Sequence, residues 1–250
     1  MTQKKILVTS NVVLLLIIAA AAYRYGWLAK ITHKMQSTKQ VPQNAFAYNP
    51  TCEYSLDHYS FHYIHDCDTP SIIMFGNSLI SRGNWQQLLS REDINNRGIA
   101  GDMLPCLCKR LKFLKHKNAK IWFIEAGIND LQRASSEQLL DKYKEIVDFV
   151  KAENSIPVIV LINYLSKKVN ALKMHTTDYR IVNHKITELN TLVIKYAQEN
   201  NLDYINLNPL IASDSLEIKD EYTTDGLHFS EAAYVVWASE ITKVLNKYDI

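Results

Sequence analysis

Residues 70–79, Pro70-Ser71-Ile72-Ile73-Met74-Phe75-Gly76-Asn77-Ser78-Leu79, decide the fold. Four consecutive apolar residues that end in a glycine have the signature of a strand buried on both faces. The glycine permits a tight turn, and Ser78 then stands where a helix begins, its own N–H unpaired and pointing outward. Ser and Asn are also ordinary helix caps, so this segment alone does not separate a cap from a reactive hydroxyl.

Outward from it the same alternation repeats. Ile94–Ile99 reads as a weaker second strand, Ile121–Ile124 as a third, Pro157–Ile162 as a fourth and Tyr204–Leu207 as a fifth. Helical patterns fill the gaps at Trp85–Leu89, Met103–Leu114, Glu137–Ala152 and Tyr179–Gln198, and Ser230 can cap a last helix running to Leu245. Strands separated by helices of this length imply right-handed crossovers and a parallel sheet covered on both faces. Ligands of such sheets bind outside the carboxyl ends of the strands.

Three more segments with chemical potential lie at those ends or in the last loop. Asn96-Arg97-Gly98-Ile99-Ala100-Gly101-Asp102 has two glycines three apart, which let the backbone approach a ligand and offer N–H donors. Lacking the third glycine, it is no dinucleotide fingerprint. Gly127-Ile128-Asn129-Asp130 puts an amide at a strand end, suited to an oxyanion but equally to an Asx-turn. Asp225-Gly226-Leu227-His228 can set a carboxylate beneath imidazole Nδ1 and turn Nε2 outward as a base; alone, it could be a turn with a surface histidine.

Together the four segments supply a nucleophile, two kinds of donor and an acid–base pair, in chain order. This set resembles the SGNH hydrolases, or GDSL esterase/lipase superfamily, over roughly residues 70–247. The resemblance implies a three-layer α/β/α sandwich with a five-stranded parallel sheet, flavodoxin-like. It implies Ser78 as nucleophile, Asp225 and His228 as its triad partners, and an oxyanion hole from the N–H groups of Ser78 and Gly101 and the Asn129 amide. YINLNP before the last segment and HFSEAAYVVWA after it are similar too. Asn77 stands where the family's name expects Asp, and Ala233 where relatives often carry Gly; neither is a triad member, so little loss of activity is expected. No GxSxG elbow occurs, which argues against an α/β-hydrolase. No metal or organic cofactor is required.

The chain has 250 residues, 47% apolar and 22% charged, ordinary globular usage that excludes fibrous and disordered classes. Its net charge of +2 is uneven: residues 1–50 hold six Lys and Arg and no Asp or Glu, leaving 22 Lys and Arg against 26 Asp and Glu in the rest. An acidic body is a poor nucleic-acid surface. Lys4 and Lys5 precede Ile6–Tyr23, apolar except for Thr9, Ser10 and Asn11; as a helix this reaches about 27 Å, just short of a bilayer core. A signal peptide cleaved near Ala20–Ala22 and an uncleaved anchor both fit, and the Tyr23-Arg24-Tyr25-Gly26-Trp27 belt favours the anchor. The expected organisation is a membrane segment over 1–27, a linker and lead-in over 28–69 and the catalytic domain over 70–250, exported to the periplasm or outside the cell.

His58, His62 and His65 would share a helix face as metal ligands, but the Tyr59, Phe61, Tyr63 and Ile64 between them suggest packing. Without a CxxC pair the four cysteines are unlike a zinc ribbon; Cys52–Cys67 would close a modest loop, and four reduced thiols are equally open. The expected substrate is a small acyl ester, acetyl above all, on a carbohydrate or glycan. Lysophospholipase, thioesterase and glycan O-acetyltransferase chemistry are alternatives, as is a non-catalytic, membrane-tethered binding module. Asn163–Asp178 is the one long loop on the active-site side, with Lys167, Lys168, Lys173 and His175 and no continuous apolar run to wall an acyl channel.

Overall fold

The computed structural model describes Cys52 and residues 69–114, 118–172 and 178–250. The apolar run 6–23 and the three lead-in histidines lie outside the described residues. Among the described residues, no helix is long and apolar enough to cross a membrane.

The strands are β1 (Ile72–Gly76), β2 (Ile94–Gly98), β3 (Ile121–Glu125), β4 (Ile156–Val160) and β5 (Asp203–Ile205). All pair in parallel in the order β2-β1-β3-β4-β5, the doubly wound, flavodoxin-like arrangement that the resemblance implies. The chain leaves β1 toward β2 on one side and returns to β3 on the other. The switch point therefore lies outside the carboxyl ends of β1 and β3, and there the Gly76-Asn77-Ser78 and Gly127-Ile128-Asn129 turns emerge.

The period of two along each strand builds two cores. Ile73, Phe75, Trp122, Ile124 and Ile159 face α3 (Leu104–Leu111), α4 (Ser136–Ala152) and α5 (Tyr179–Glu199). Ile72, Met74, Ile121, Phe123, Val158 and Val160 face α1 (Ser78–Arg82), α2 (Trp85–Leu89), the short α6 (Asn208–Ile211) and α7 (Glu231–Lys247). On the second face Trp85, Phe229, Tyr234 and Trp237 pack edge to face at centroid separations of 4.7–5.7 Å. Such pairs add direction to area burial. The Tyr234 hydroxyl donates to the Leu79 carbonyl at 2.7 Å, fastening α7 to α1.

Differences from the sequence reading have local causes. β5 stops at Ile205 because the Asn206 side chain turns the chain, accepting from the Asn208 N–H at 3.1 Å. Part of the expected loop after β4 is a 3₁₀ helix, Lys167–Leu172. Before it, the side chains of Asn183, Asn190 and Asn208 take the place of a neighbouring strand, bonding the backbone of Ile162, Tyr164 and Leu165. Cys52 does not pair with Cys67: α3 brings Cys106 to a Cα–Cα distance of 5.1 Å, and Cys52–Cys106 is the disulfide. Cys108 is a free thiol, pushed up to about 12 by burial and the nearby Glu145, so it is no nucleophile at neutral pH.

Candidate active site

Ser78 is the first residue of α1, and Asn77 is its cap: the Asn77 Oδ1 accepts the Leu79 N–H at 2.9 Å. With capping assigned to Asn77, the serine hydroxyl is released for another partner. That partner is His228, whose Nε2 lies 3.1 Å from Ser78 Oγ although 150 residues separate them. On the other side of the ring, Nδ1 is 2.7 Å from Asp225 Oδ2. A proton on Nδ1 satisfies both contacts, leaving Nε2 to accept from the serine.

The loop around His228 orders itself. Asp225 Oδ1 accepts the N–H groups of Leu227 and His228 at 3.0 and 2.7 Å, an Asx-turn that aims the other carboxylate oxygen at the ring. The Thr223 hydroxyl donates to the His228 carbonyl at 2.8 Å and accepts the Gly226 N–H at 2.8 Å. Burial opposes ionisation of Asp225, but the hydrogen bonds from the His228 N–H, its ring and the Leu227 N–H outweigh it and hold the carboxyl below its usual value. The turn and the triad-like contact coexist here, and the histidine is buried rather than on the surface.

Gly101 has a φ of +80°, and a Cβ there would meet nothing within 4 Å. Its backbone borders open space, as approach by a ligand requires. Asn129 does not cap a helix: its Nδ2 donates to the Asp102 carbonyl at 2.7 Å, directly after Gly101. One amide hydrogen is thereby used to join the two loops.

Two bracing side chains, Asp130 and Arg110, carry no signal in the sequence. The buried Asp130 carboxylate accepts the Leu104 N–H at 3.2 and 3.1 Å, capping α3 from the next loop; burial pushes it up to about 7. Arg110 of α3 is wholly buried against Asp102, with 2.7 Å between guanidinium and carboxylate. Its remaining donors reach the carbonyls of Arg97 at 3.2 Å and Gly76 at 3.3 Å, so one guanidinium holds the ends of β1 and β2 and the Gly101–Asp102 loop. An Arg eight residues beyond a loop Asp is no motif, and only the fold makes them neighbours. Lys168, in contrast, is engaged at the surface with Asp220 at 3.1 Å. Among the described residues, no group of three or more His, Cys, Asp or Glu could hold a metal ion.

The family model described as "GDSL-like Lipase/Acylhydrolase family" matches residues 72–236. A curated relative, the isoamyl acetate-hydrolyzing esterase of Saccharomyces cerevisiae, is 24% identical over 166 residues, 62% of this chain and 70% of the relative. A GDSL-like lipase from Bacteroides thetaiotaomicron superposes with a TM-score of 0.65 at 15% identity, covering 79% of this chain and 99% of that one. An acetyl xylan esterase superposes at 0.57 with 17% identity, over 70% and 98%.

Proposed function

The chain belongs to the GDSL-like lipase/acylhydrolase family and is a serine hydrolase acting on esters; on that premise we propose that Ser78, His228 and Asp225 are its triad and that it removes small acyl groups, acetyl foremost, from a carbohydrate or glycan. The observation that carries the triad is the continuous contact from Ser78 Oγ through the imidazole to Asp225.

In this mechanism His228 Nε2 takes the Ser78 proton as Oγ attacks the ester carbonyl, and Asp225 holds the tautomer and steadies the cation. The N–H groups of Ser78 and Gly101 and the second hydrogen of the Asn129 amide receive the oxyanion, each contributing about 10²–10³ in rate. His228 protonates the leaving alcohol. Water then attacks the acyl-enzyme with His228 as base, restoring free serine. A sugar hydroxyl in place of that water would make the same centre a transferase.

The small acyl group is supported by the chemistry in the names of the yeast esterase and the acetyl xylan esterase, together with the lack of a continuous apolar run near the four segments. We also propose that the apolar run 6–23, preceded by Lys4 and Lys5, anchors the body at the outer face of a membrane. Export is supported by the Cys52–Cys106 disulfide, since such bonds persist in oxidising compartments.

Ser78→Ala decides the triad: it should abolish fluorophosphonate labelling and lower kcat by about 10⁴–10⁶ while folding is retained. Near wild-type hydrolysis would sink the mechanism. A p-nitrophenyl ester series decides the acyl group, with kcat/KM expected to fall steeply beyond butyrate. A maximum at octanoate or longer would mean lysophospholipase or thioesterase chemistry. Carbonate-washed membranes should retain the full chain, and recovery of an N-terminus at Tyr23 would mean cleavage instead.

A further inference from the structure

Glu125 ends β3 beside the turn that carries Ser78. It pairs with Gly76 in the register of β1 and β3, and a Cβ on Gly76 would lie 2.0 Å from the Glu125 carbonyl oxygen. The Glu125 side chain is wholly buried, and neither carboxyl oxygen has a hydrogen-bond partner among the described residues. Orphaned buried polar groups are rare enough to need a reason, and buried carboxyl groups more so.

The group facing it is the Asn77 side chain, also wholly buried. Asn77 Oδ1 is committed to the Leu79 N–H, and its Nδ2 is likewise without a hydrogen-bond partner. Nδ2 faces the carboxyl across a gap outside good hydrogen-bond geometry, yet close enough to favour its ionised form a little. From the helices packed around the strand end come two phenols. Tyr143 of α4 donates to the Ala126 carbonyl and Tyr234 of α7 to the Leu79 carbonyl; both feel the Glu125 charge. Asp130 lies toward Tyr143, and Arg82 toward Tyr234. Among the described residues Glu125 forms no ion pair, so burial dominates and pushes its carboxyl up to about 8.

We propose that Glu125 is a positioning residue for Ser78, acting through the Asn77 side chain that caps α1. The inference rests on Ser78 being the nucleophile. As an uncharged acid Glu125 packs under the turn and leaves Asn77 free to cap. Once ionised it is a buried anion with one donor in front of it, Asn77 Nδ2. Drawing the amide toward the carboxylate rotates Oδ1 away from Leu79 and shifts the turn on which the serine stands. Displacements well under 1 Å are enough to slow a positioned attack.

The test is kcat, KM and fluorophosphonate labelling rate of the full chain from pH 6 to 10, with Tm at each pH, for wild type, Glu125→Gln and Glu125→Leu. In the wild type kcat and labelling should fall above about pH 8 at steady KM, following the acid–base logic of rate profiles. Glu125→Gln cannot ionise, so it should keep the neutral-pH kcat and hold it flat to about one pH unit higher. Glu125→Leu puts a branched apolar side chain under the turn and against Asn77 Nδ2, and should lose about 10-fold or more in kcat at every pH, with KM little changed. An unshifted alkaline limb in Glu125→Gln overturns the proposal, as does activity that merely tracks Tm. If Glu125→Leu fails to fold, the Gln profile decides. Ser78→Ala separates the two readings. Hydrolysis surviving it removes the nucleophile; an inactive Ser78→Ala beside wild-type behaviour in both Glu125 variants removes the positioning role alone.

Discussion

The two halves of the site are held in opposite ways. The histidine half is local: Asp225 orients the His228 ring and receives its N–H, and Thr223 closes the turn, all within six residues. The proposed oxyanion half is assembled from a distance. Asn129 reaches Asp102, Asp130 caps Leu104, and Arg110 reaches Gly76, across 27, 26 and 34 positions. A local device keeps its geometry wherever the loop goes, whereas a cross-braced one exists only when β1, β2, β3 and α3 are all in place. Perturbing α3 should therefore damage oxyanion binding and spare the Ser78–His228 contact.

The largest effect should come from the local half. Asp225→Asn keeps the turn but offers Nδ1 an amide, allowing the wrong tautomer, and by analogy with other serine triads should lower kcat on the order of 10⁴. Steady-state ester hydrolysis measures it. A loss below tenfold would mean that the ring is oriented by Thr223 and the backbone alone. Asn129→Ala should cost less, about 10²–10³ in kcat with little change in KM, since its free hydrogen acts only as charge develops. A pure KM effect would leave the amide as nothing more than a tie to Asp102.

The contrast also explains what could be read in the sequence. The strands were legible because runs such as Ile72–Phe75 and Ile121–Ile124 are apolar on both faces, and their alternation with helices implies a covered parallel sheet; its flavodoxin-like arrangement was implied by the family resemblance alone. Asp225 and His228 were legible in part: three residues on a turn allow the contact, but the spacing fits a surface histidine too, and the resemblance singled the pair out. Asn129 and Gly101 were named by family resemblance; their own neighbourhoods fit a turn equally well. Arg110 and Asp130 were invisible as a buried charge and a helix cap, because their partners come from other strand ends. The partner of Cys52 was illegible for the same reason. The sequence left a Cys52–Cys67 bridge and four reduced thiols equally open, whereas the position of Cys106 on α3 depends on the whole sheet.

That disulfide gives a stability prediction on the cross-braced side. The bond joins positions 54 apart, and chain entropy assigns such a link about 4 kcal/mol. Replacing Cys52 and Cys106 with Ser should lower the denaturation midpoint accordingly and reduce kcat more than it reduces fluorophosphonate labelling of Ser78. Equal losses in both would mean that α3 supports the histidine half as well, and the division of the site would fail. Arg110→Met should have a comparable cost in stability, about 3–5 kcal/mol, because it takes the guanidinium away from the buried Asp102 carboxylate.

The last expected effect is gradual, a slope of stability with pH, and it comes from Asp130. Burial pushes its carboxyl up to about 7 in the folded chain, against about 3.9 when unfolded. Below pH 4 both states hold the proton and the group is neutral to stability. As pH rises toward 7 the unfolded chain releases its proton while the folded one retains it, so stability falls across that window and the loss levels off above it. Within the window the slope is at most about 1.4 kcal/mol per pH unit. Glu125 adds a slope of the same sign that continues to about pH 8, so Asp130 must be isolated by difference. Asp130→Asn retains an acceptor for the Leu104 N–H and cannot ionise. Urea denaturation from pH 4 to 9 should show the variant gaining on wild type between pH 4 and 7 and running parallel to it above. A constant difference at every pH would mean that Asp130 is already ionised throughout, compensated by the Leu104 N–H; α3 would then be capped by a full charge.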